Sequence, residues 1–332
     1  PALLRGSVSR MVLQALRHEQ TDRVPWVPFA GVHAGKLKGY TGEEILRDPD
    51  KLLESLLEVN KLYMPDGMPV MFDLQIEAEI LGCDLLWSKD NPPSVKSHPL
   101  AAEKTIPCRC KIPTKESGRI PMILDVMRRL KAEIGEKTAL YGLVCGPFTL
   151  ASHLRGTNIF MDMIKDPAYV KELVDYCTEI CIQMSDFYIE AGMDVIAVVD
   201  PLVSQISPKH IEAMLSEGFT AAFDFIRSRG VLSCFFVCGN ASKQIDVMCK
   251  MNPDGISVDE NVDLKAAKEI TDRYNITIGG NIPLTTTMLW GTQQDNMKAV
   301  IDIMDSLDHH NLIISPGCDM PYSTPPENTV AV

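Results

Sequence analysis

Short apolar runs alternate with longer amphipathic stretches along most of this chain, and each run stops at a small or functional polar residue. The run VLSCFFVCGN at 231–240 sets the type, ending abruptly in Cys238, Gly239 and Asn240. Similar runs end at Cys145-Gly146, Asp200, Asp259-Glu260, Gly280-Asn281 and Gly317-Cys318. The pattern predicts strands over 24–29, 70–73, 139–145, 194–200, 231–238, 255–259, 276–279 and 312–315. Helical spacing predicts a helix over 7–20 with Ser9 as its cap, and another over 41–62 that is interrupted at 48–50. The latter opens on the capping-box spacing TGEE at 41–44. A helix over 74–82 is closed by Gly82, and residues 30–35 read as flexible. Further helices fall over 120–135, 149–154, 168–191, 242–251, 263–274 and 293–307, with one more starting at Ser207-Pro208.

Repeated strand–helix units imply parallel pairing with right-handed crossovers. About eight strands in a chain of 332 residues fit a closed (β/α)8 TIM barrel, with an open doubly wound sheet as the alternative. The expected organisation is a single barrel domain over 1–332, with an N-terminal helical extension and a small insertion around 83–116 holding a hairpin. In such a barrel the strands' carboxyl ends form the mouth, and chemistry belongs there.

Composition narrows the function classes. A net charge of −12 with no basic block argues against a nucleic-acid binder. No apolar run approaches the roughly 20 residues that cross a bilayer, and the start PALLR lacks the build of a signal peptide. Ten cysteines scattered through apolar segments read as reduced core thiols, so the expected location is cytoplasmic. Cys108/Cys110 and the helically spaced Cys177/Cys181 read as packing, and His309-His310 as solvent-facing at the end opposite the mouth.

Two groups of residues carry candidate chemistry. Cys238 and Cys318 each follow a predicted strand beside a glycine, and ends 80 residues apart in sequence can converge. Two thiolates could help hold zinc, which wants three or four ligands; core-edge packing is the alternative. The third ligand is missing, because the residue sharing the strand face two positions before Cys238 is Phe236. Cys234 shares that face but lies roughly 13 Å down the strand. The second group is Asp73, Asp200, Asp259, Glu260, Asn240 and Asn281, all at or just after strand ends. Such groups bind the donor–acceptor edge of a heterocycle or move a proton; the alternative for each is loop and helix capping. His153, after GPFTL at 146–150, points either to the mouth or into helix packing.

The runs FDLQIEAEILG at 72–82, GPFTL at 146–150, DGISVD at 254–259, GN at 280–281 and SPGC at 315–318 resemble the uroporphyrinogen decarboxylase superfamily. They resemble its corrinoid-dependent methyltransferase branch more closely. The likeness spans nearly the whole chain, and TPPEN at 324–328 resembles the start of the family's last helix. It implies a (β/α)8 barrel that receives a corrinoid protein at its mouth. The decarboxylases fit less well. Their early Arg-Gln-Ala-Gly-Arg motif is FAGVH at 29–33 here, Cys318 stands for their late histidine and His153 for their tyrosine, although Asp73 matches their catalytic aspartate.

The branch that methylates coenzyme M is similar in Cys238 and Cys318 but uses His-x-Cys where this chain has Phe236-Val237-Cys238. The resemblance to the methyltransferases of anaerobic glycine betaine demethylation implies a different acceptor. The expected reaction moves a methyl group between a methylated corrinoid protein (methylcobalamin) and tetrahydrofolate, giving 5-methyltetrahydrofolate without zinc. Asp200, Asp259 and Asn240 are the expected catalytic residues. Asn281, Asp73, Glu260, Cys238, Cys318 and His153 are expected to line the substrate pocket. The partners implied are a corrinoid protein and a small pterin, with no nucleic acid or membrane and with a homodimer left open. The alternatives are a zinc-dependent thiol methyltransferase, a decarboxylase-like enzyme and a non-catalytic corrinoid-binding protein.

Overall fold

A computed structural model describes residues 11–332; the predicted cap Ser9 lies outside them. Seven parallel strands follow one another around a curled sheet: β1 (Gly67–Pro69), β4 (Ala139–Cys145), β5 (Val195–Val199), β6 (Leu232–Val237), β7 (Gly255–Val258), β8 (Thr277–Ile282) and β9 (Leu312–Pro316). Residues 24–29 supply the eighth stave. Val27 N donates to Ile314 O (2.9 Å), Ile314 N to Pro25 O (2.9 Å), and Asp66 N to Trp26 O (2.9 Å). Both open edges are thereby bridged, which closes a (β/α)8 barrel. Pro25 and Pro28 lack an N–H, so this stave makes only one β-bridge, Trp26 to Ile314. The Arg23 guanidinium grips the Asp66 carboxylate at 2.7 and 2.8 Å and holds the closure from the side.

Every strand from β4 to β9 is buried on nearly all positions, as parallel strands covered by helices must be. Alternate residues Tyr141, Leu143, Ala197, Val199, Cys234 and Phe236 form one apolar cluster inside the barrel. Their neighbours Leu140, Val144, Val198, Phe235 and Val237 pack outward against the helical layer. Phe235, for example, meets Phe219 and Phe223 at ring separations of 4.6 and 5.5 Å.

The helices in chain order are α1 (Met11–Leu16), α2 (His33–Lys36), α3 (Gly42–Arg47), α4 (Pro49–Tyr63), α5 (Ile76–Ile80), α6 (Ile120–Ile134), α7 (Pro147–Arg155) and α8 (Asn158–Lys165). They continue with α9 (Pro167–Glu190), α10 (Pro208–Met214), α11 (Ser216–Ser228), α12 (Ile245–Lys250), α13 (Leu264–Arg273), α14 (Gln293–Ser306) and α15 (Pro326–Ala331). Thr41 and Glu44 complete the capping box expected from their spacing, and Ser207 caps α10. Asp48, Asp166 and Asp263 cap α4, α9 and α13 through their carboxylates.

Four expectations need correction. Residues 30–35 are not flexible: they are largely buried and lead into α2, where the His33 ring is pinned between Tyr63 Oη (2.7 Å) and the Tyr322 carbonyl (3.0 Å). The ladder predicted at 70–73 lies at 67–69, because the chain turns away after Val70. Strand β8 runs on through Gly280 and Asn281, so Asn281 is a strand residue. Finally, Cys108 and Cys110 are exposed rather than packed. The insertion holds a two-stranded antiparallel hairpin, β2 (Leu85–Leu86) with β3 (Ser94–Val95). Among the described residues no helix is long and apolar enough to cross a membrane.

Candidate active site

Cys238 and Cys318 follow β6 and β9 and meet across the mouth, joined sulfur to sulfur with their Cα atoms 6.1 Å apart. They are therefore not among the free thiols of the chain, which corrects the expectation that all ten cysteines are reduced. Beneath them lies a cluster of three phenyl rings. Phe236 stands 4.7 Å from Phe29 and 5.8 Å from Phe72, and Phe29 is 6.1 Å from Phe72. Phe236 is fully buried in that cluster. Deeper in the barrel, Cys234 shares a hydrogen bond with Ser257 Oγ (3.4 Å), and burial pushes its thiol up to about 11. Among the described residues no third histidine, cysteine or carboxylate joins the sulfur pair.

Asp200 stands at the end of β5, as its position in the sequence predicts, but it faces a helix rather than the opening. Its fully buried carboxylate accepts from Phe148 N (2.9 Å), Thr149 N (3.1 Å) and Thr149 Oγ1 (2.6 Å), the first turn of α7. A helix N-terminus is the natural place for an anion. Gly146 must be glycine, since a Cβ there would strike the Asp200 side chain. Burial raises the carboxyl to about 6 against the pull of these donors. The expected hold of Asp200 on a ligand gives way to a capping role.

The other rim residues are placed differently. Asn240 is exposed on the loop after β6, where its Oδ1 accepts from Ser242 N (3.2 Å) and Oγ (2.7 Å). Asp259 is buried at the end of β7, its Oδ1 accepting from the backbone and side-chain nitrogens of Asn261. Asn281 braces that turn by donating to Asp259 O (2.9 Å) and Val262 O (2.8 Å). Glu260 accepts from Leu284 N (3.2 Å), and burial raises its carboxyl above the usual range. Gly317 lets the SPGC turn lie against it, for a Cβ there would come within 2.6 Å of Glu260 N. Glu260 and Asn281 line an open cleft of about 620 Å³ that runs toward α14.

Asp73 and His153 do not join this rim. Asp73 is buried in an ion pair with Arg119 Nη1 (2.7 Å), and Arg119 also binds Glu79 (2.8 Å) and stacks on Trp87 at 5.0 Å. His153 packs against the insertion, its carbonyl accepting from His98 Nδ1 (2.8 Å) while its own Nε2 is buried without a partner. Burial lowers its ring to about 4, so it is neutral at physiological pH.

Three residues escape the sequence reading. Gln75 and Asp319 line a cavity of about 320 Å³ at the mouth, together with Phe72 and the hairpin turn at Asp90, Asn91 and Pro92. Asp319 Oδ1 accepts from Gly31 N (2.9 Å), and the buried Gln75 Oε1 has no partner. Asp319 directly follows the SPGC run and Gln75 lies inside the FDLQIEAEILG run at 72–82, so each stands at a usable signal in the sequence. The third is Glu77. It is buried on α5, accepts from Cys145 N (3.2 Å) through Oε1 and leaves Oε2 unpartnered, and burial lifts its carboxyl to about 7.

That shift has a measurable consequence. The folded value lies above the ordinary 4.5, so the folded protein holds a proton that the unfolded chain releases as pH rises from about 4.5 to about 7. Stability should fall across that window by on the order of 3 kcal/mol from this residue alone. Glu77→Gln removes the titration and keeps the acceptor for Cys145 N. In urea unfolding at pH 5, 6, 7 and 8 the variant should gain on the wild type by about 1.4 kcal/mol per pH unit up to neutrality. Parallel pH profiles would show that Glu77 titrates normally.

A larger cavity of about 850 Å³ lies at the opposite end of the barrel, bordered by His18, Arg23, His309 and His310. His309 and His310 therefore sit away from the mouth, as expected.

Comparison with known proteins extends this picture. A family model described as uroporphyrinogen decarboxylase (URO-D) matches residues 9–332. A methylcobamide:CoM methyltransferase MtbA of Methanosarcina acetivorans is 28% identical over 321 residues, covering 95% of this chain and 93% of that protein. A uroporphyrinogen decarboxylase of Wolbachia sp. subsp. Brugia malayi is 26% identical over 297 residues, covering 87% and 82% respectively. The solved structure of a methyltransferase from Methanosarcina mazei superposes with a TM-score of 0.87 at 24% identity, covering 98% of this chain and 96% of that one. The last likeness fixes the fold.

Proposed function

The chain belongs to the uroporphyrinogen decarboxylase family, and from that premise we propose that it is a cytoplasmic, single-barrel methyltransferase moving a methyl group between a corrinoid protein and tetrahydrofolate. The methylcobamide chemistry named for its methyltransferase relatives supports the donor. Decarboxylation is disfavoured because Asp73 is closed into an ion pair with Arg119.

The acceptor rests on one observation, the phenyl ring of Phe236. Zinc wants three or four ligands. Two sulfurs converge here, but the next side chain on that strand face is an apolar ring locked between Phe29 and Phe72. The residues do not fit a zinc centre, so thiol activation by the metal has no basis in this donor set. A reduced pterin needs none, because N5 is already a usable nucleophile and the protein supplies orientation and proton handling. A methylated corrinoid supplies an electrophilic methyl group whose bonding pair stays on cobalt when the carbon leaves. The new N5–carbon bond forms as that bond breaks, and the N5 proton departs.

The chain's own residues then divide the work. Gln75 and Asp319 offer polar groups to the pterin's amide and amino edge in the cavity that Phe72 also lines. Glu260 lies against Gly317, two residues before Asp319, and with its carboxyl raised by burial it is the base assigned to the N5 proton. Asp259 and Asn281 hold the turn that carries it, and the exposed Asn240 borders the opening. Asp200 acts from behind by fixing α7.

A second reading, a zinc-dependent thiol methyltransferase, is favoured by the meeting of Cys238 and Cys318 across the mouth. One assay separates the two. The protein is reduced, then given methylcobalamin in anaerobic, metal-chelated buffer with either tetrahydrofolate or a coenzyme M-type thiol. Demethylation with folate alone is expected in the cobalamin spectrum. Turnover with thiol alone, returning only with added zinc, would establish the second reading instead.

A further inference from the structure

Of the eight free cysteines, six are buried and two, Cys108 and Cys110, stand exposed on one turn of the insertion. Cys108 precedes a single 3-10 turn, Arg109–Lys111, and its Sγ accepts from Cys110 N at 3.2 Å. Cationic side chains flank both, Arg109 reaching across to Glu179 on α9 at 2.5 Å. The turn is held in place from both sides. Upstream, Tyr169 Oη donates to Thr105 O (3.4 Å); downstream, Lys115 pairs with Glu190.

A reactive cysteine needs access, a neighbour that stabilises the thiolate and a second thiol to resolve the adduct. This turn meets all three conditions, whereas an unused surface cysteine needs none of them. We propose that Cys108 and Cys110 form a surface dithiol that exchanges with low-molecular-weight disulfides, Cys108 attacking and Cys110 resolving. Contact with the Cys110 side chain and backbone N–H holds the Cys108 thiol below its usual range, while the same neighbour raises that of Cys110. The two cysteines are therefore chemically unequal.

The exchange balances in two steps. The Cys108 thiolate forms a bond to one sulfur of RSSR, the S–S bond breaks, and the leaving RS⁻ takes a proton from solvent. Cys110 then loses its proton to solvent and attacks the Cys108 sulfur, expelling the second RS⁻, which is protonated in turn. The protein dithiol is oxidised to an intramolecular disulfide as RSSR is reduced to two RSH. This site lies on the flank against α9 and does not depend on the chemistry at the mouth.

The test uses the reduced full chain with oxidised glutathione, quenched over time and mapped by peptide mass spectrometry. Both substitutions lie on an exposed turn and leave the core intact. Wild type is expected to pass through a transient adduct on Cys108 to a Cys108–Cys110 disulfide. Cys110→Ser should stall as a lasting glutathione adduct on Cys108, and Cys108→Ser should react at residue 110 several-fold more slowly. Equal rates in the two variants, or a wild-type adduct that persists as in Cys110→Ser, would overturn the assignment.

Discussion

Arg119→Met is expected to cost about 3–5 kcal/mol of folding stability, the usual result of stripping one partner from a buried ion pair. Arg119 is only 12% exposed and Asp73 not at all, so neither charge can turn to water when the other goes. The guanidinium also serves Glu79 at 2.8 Å and the Leu46 carbonyl at 3.2 Å, and it stacks on Trp87. It thus ties α5, α3 and the hairpin to the start of α6. Unfolding entropy of about 2 cal/mol/K per residue makes each kcal/mol worth about 1.4 °C in a chain of 332 residues. The midpoint should therefore drop by about 4–7 °C. Methionine keeps much of the apolar stem, which isolates the charge. Adding Asp73→Asn to Arg119→Met should recover part of the loss, because the orphaned charge disappears. A drop under about 1 kcal/mol would mean that Asp73 finds other partners and is not held closed by this pair.

The barrel was legible because burial on both faces leaves a plain mark, an apolar run of strand length that ends in a polar residue. Where that mark is diluted, the reading slips. Residues 24–29 contain two prolines and make a stave with one bridge, while β8 passes through Gly279, Gly280 and Asn281 and so outruns its apolar part. The mouth was legible as a place but not as a set of contacts. That Asp200 ends a strand can be read from VIAVVD at 195–200; that it faces the amides of Phe148 and Thr149 depends on α7, which begins more than fifty residues earlier. Asp73 is similar, since its partner Arg119 lies 46 residues onward, beyond the insertion. Glu77 is harder still. An EAE run at 77–79 reads as a solvated helix face, and only the roof of neighbouring elements makes it a buried acid. Cys108 and Cys110 fail the other way: a local C-x-C pattern has no periodicity, so nothing in it separates packing from exposure.

Phe236→His should change the chemistry of the mouth most. It places an imidazole two residues before Cys238 on the same strand face, where two sulfurs already meet with Cα atoms 6.1 Å apart. Three donors with an open fourth position make a catalytic type of zinc site. The reduced variant should take up about one zinc per chain by elemental analysis, while reduced wild type and Phe236→Ala stay near zero. Loss of the ring should first destabilise the metal-free variant, since removing a phenyl from such a cluster typically costs about 3–5 kcal/mol. Zinc binding can offset that, being worth on the order of 10 kcal/mol at structural sites. The melting midpoint should therefore fall without metal and rise with it, a pattern that a merely damaged core would not give. Acceptor preference should follow, with thiol turnover appearing in the zinc-loaded variant. The wild-type arm decides the larger question. If reduced wild type itself holds stoichiometric zinc, lost on Cys238→Ser, then a ligand from beyond the strand face completes the centre, and Phe236 does not exclude a thiol acceptor.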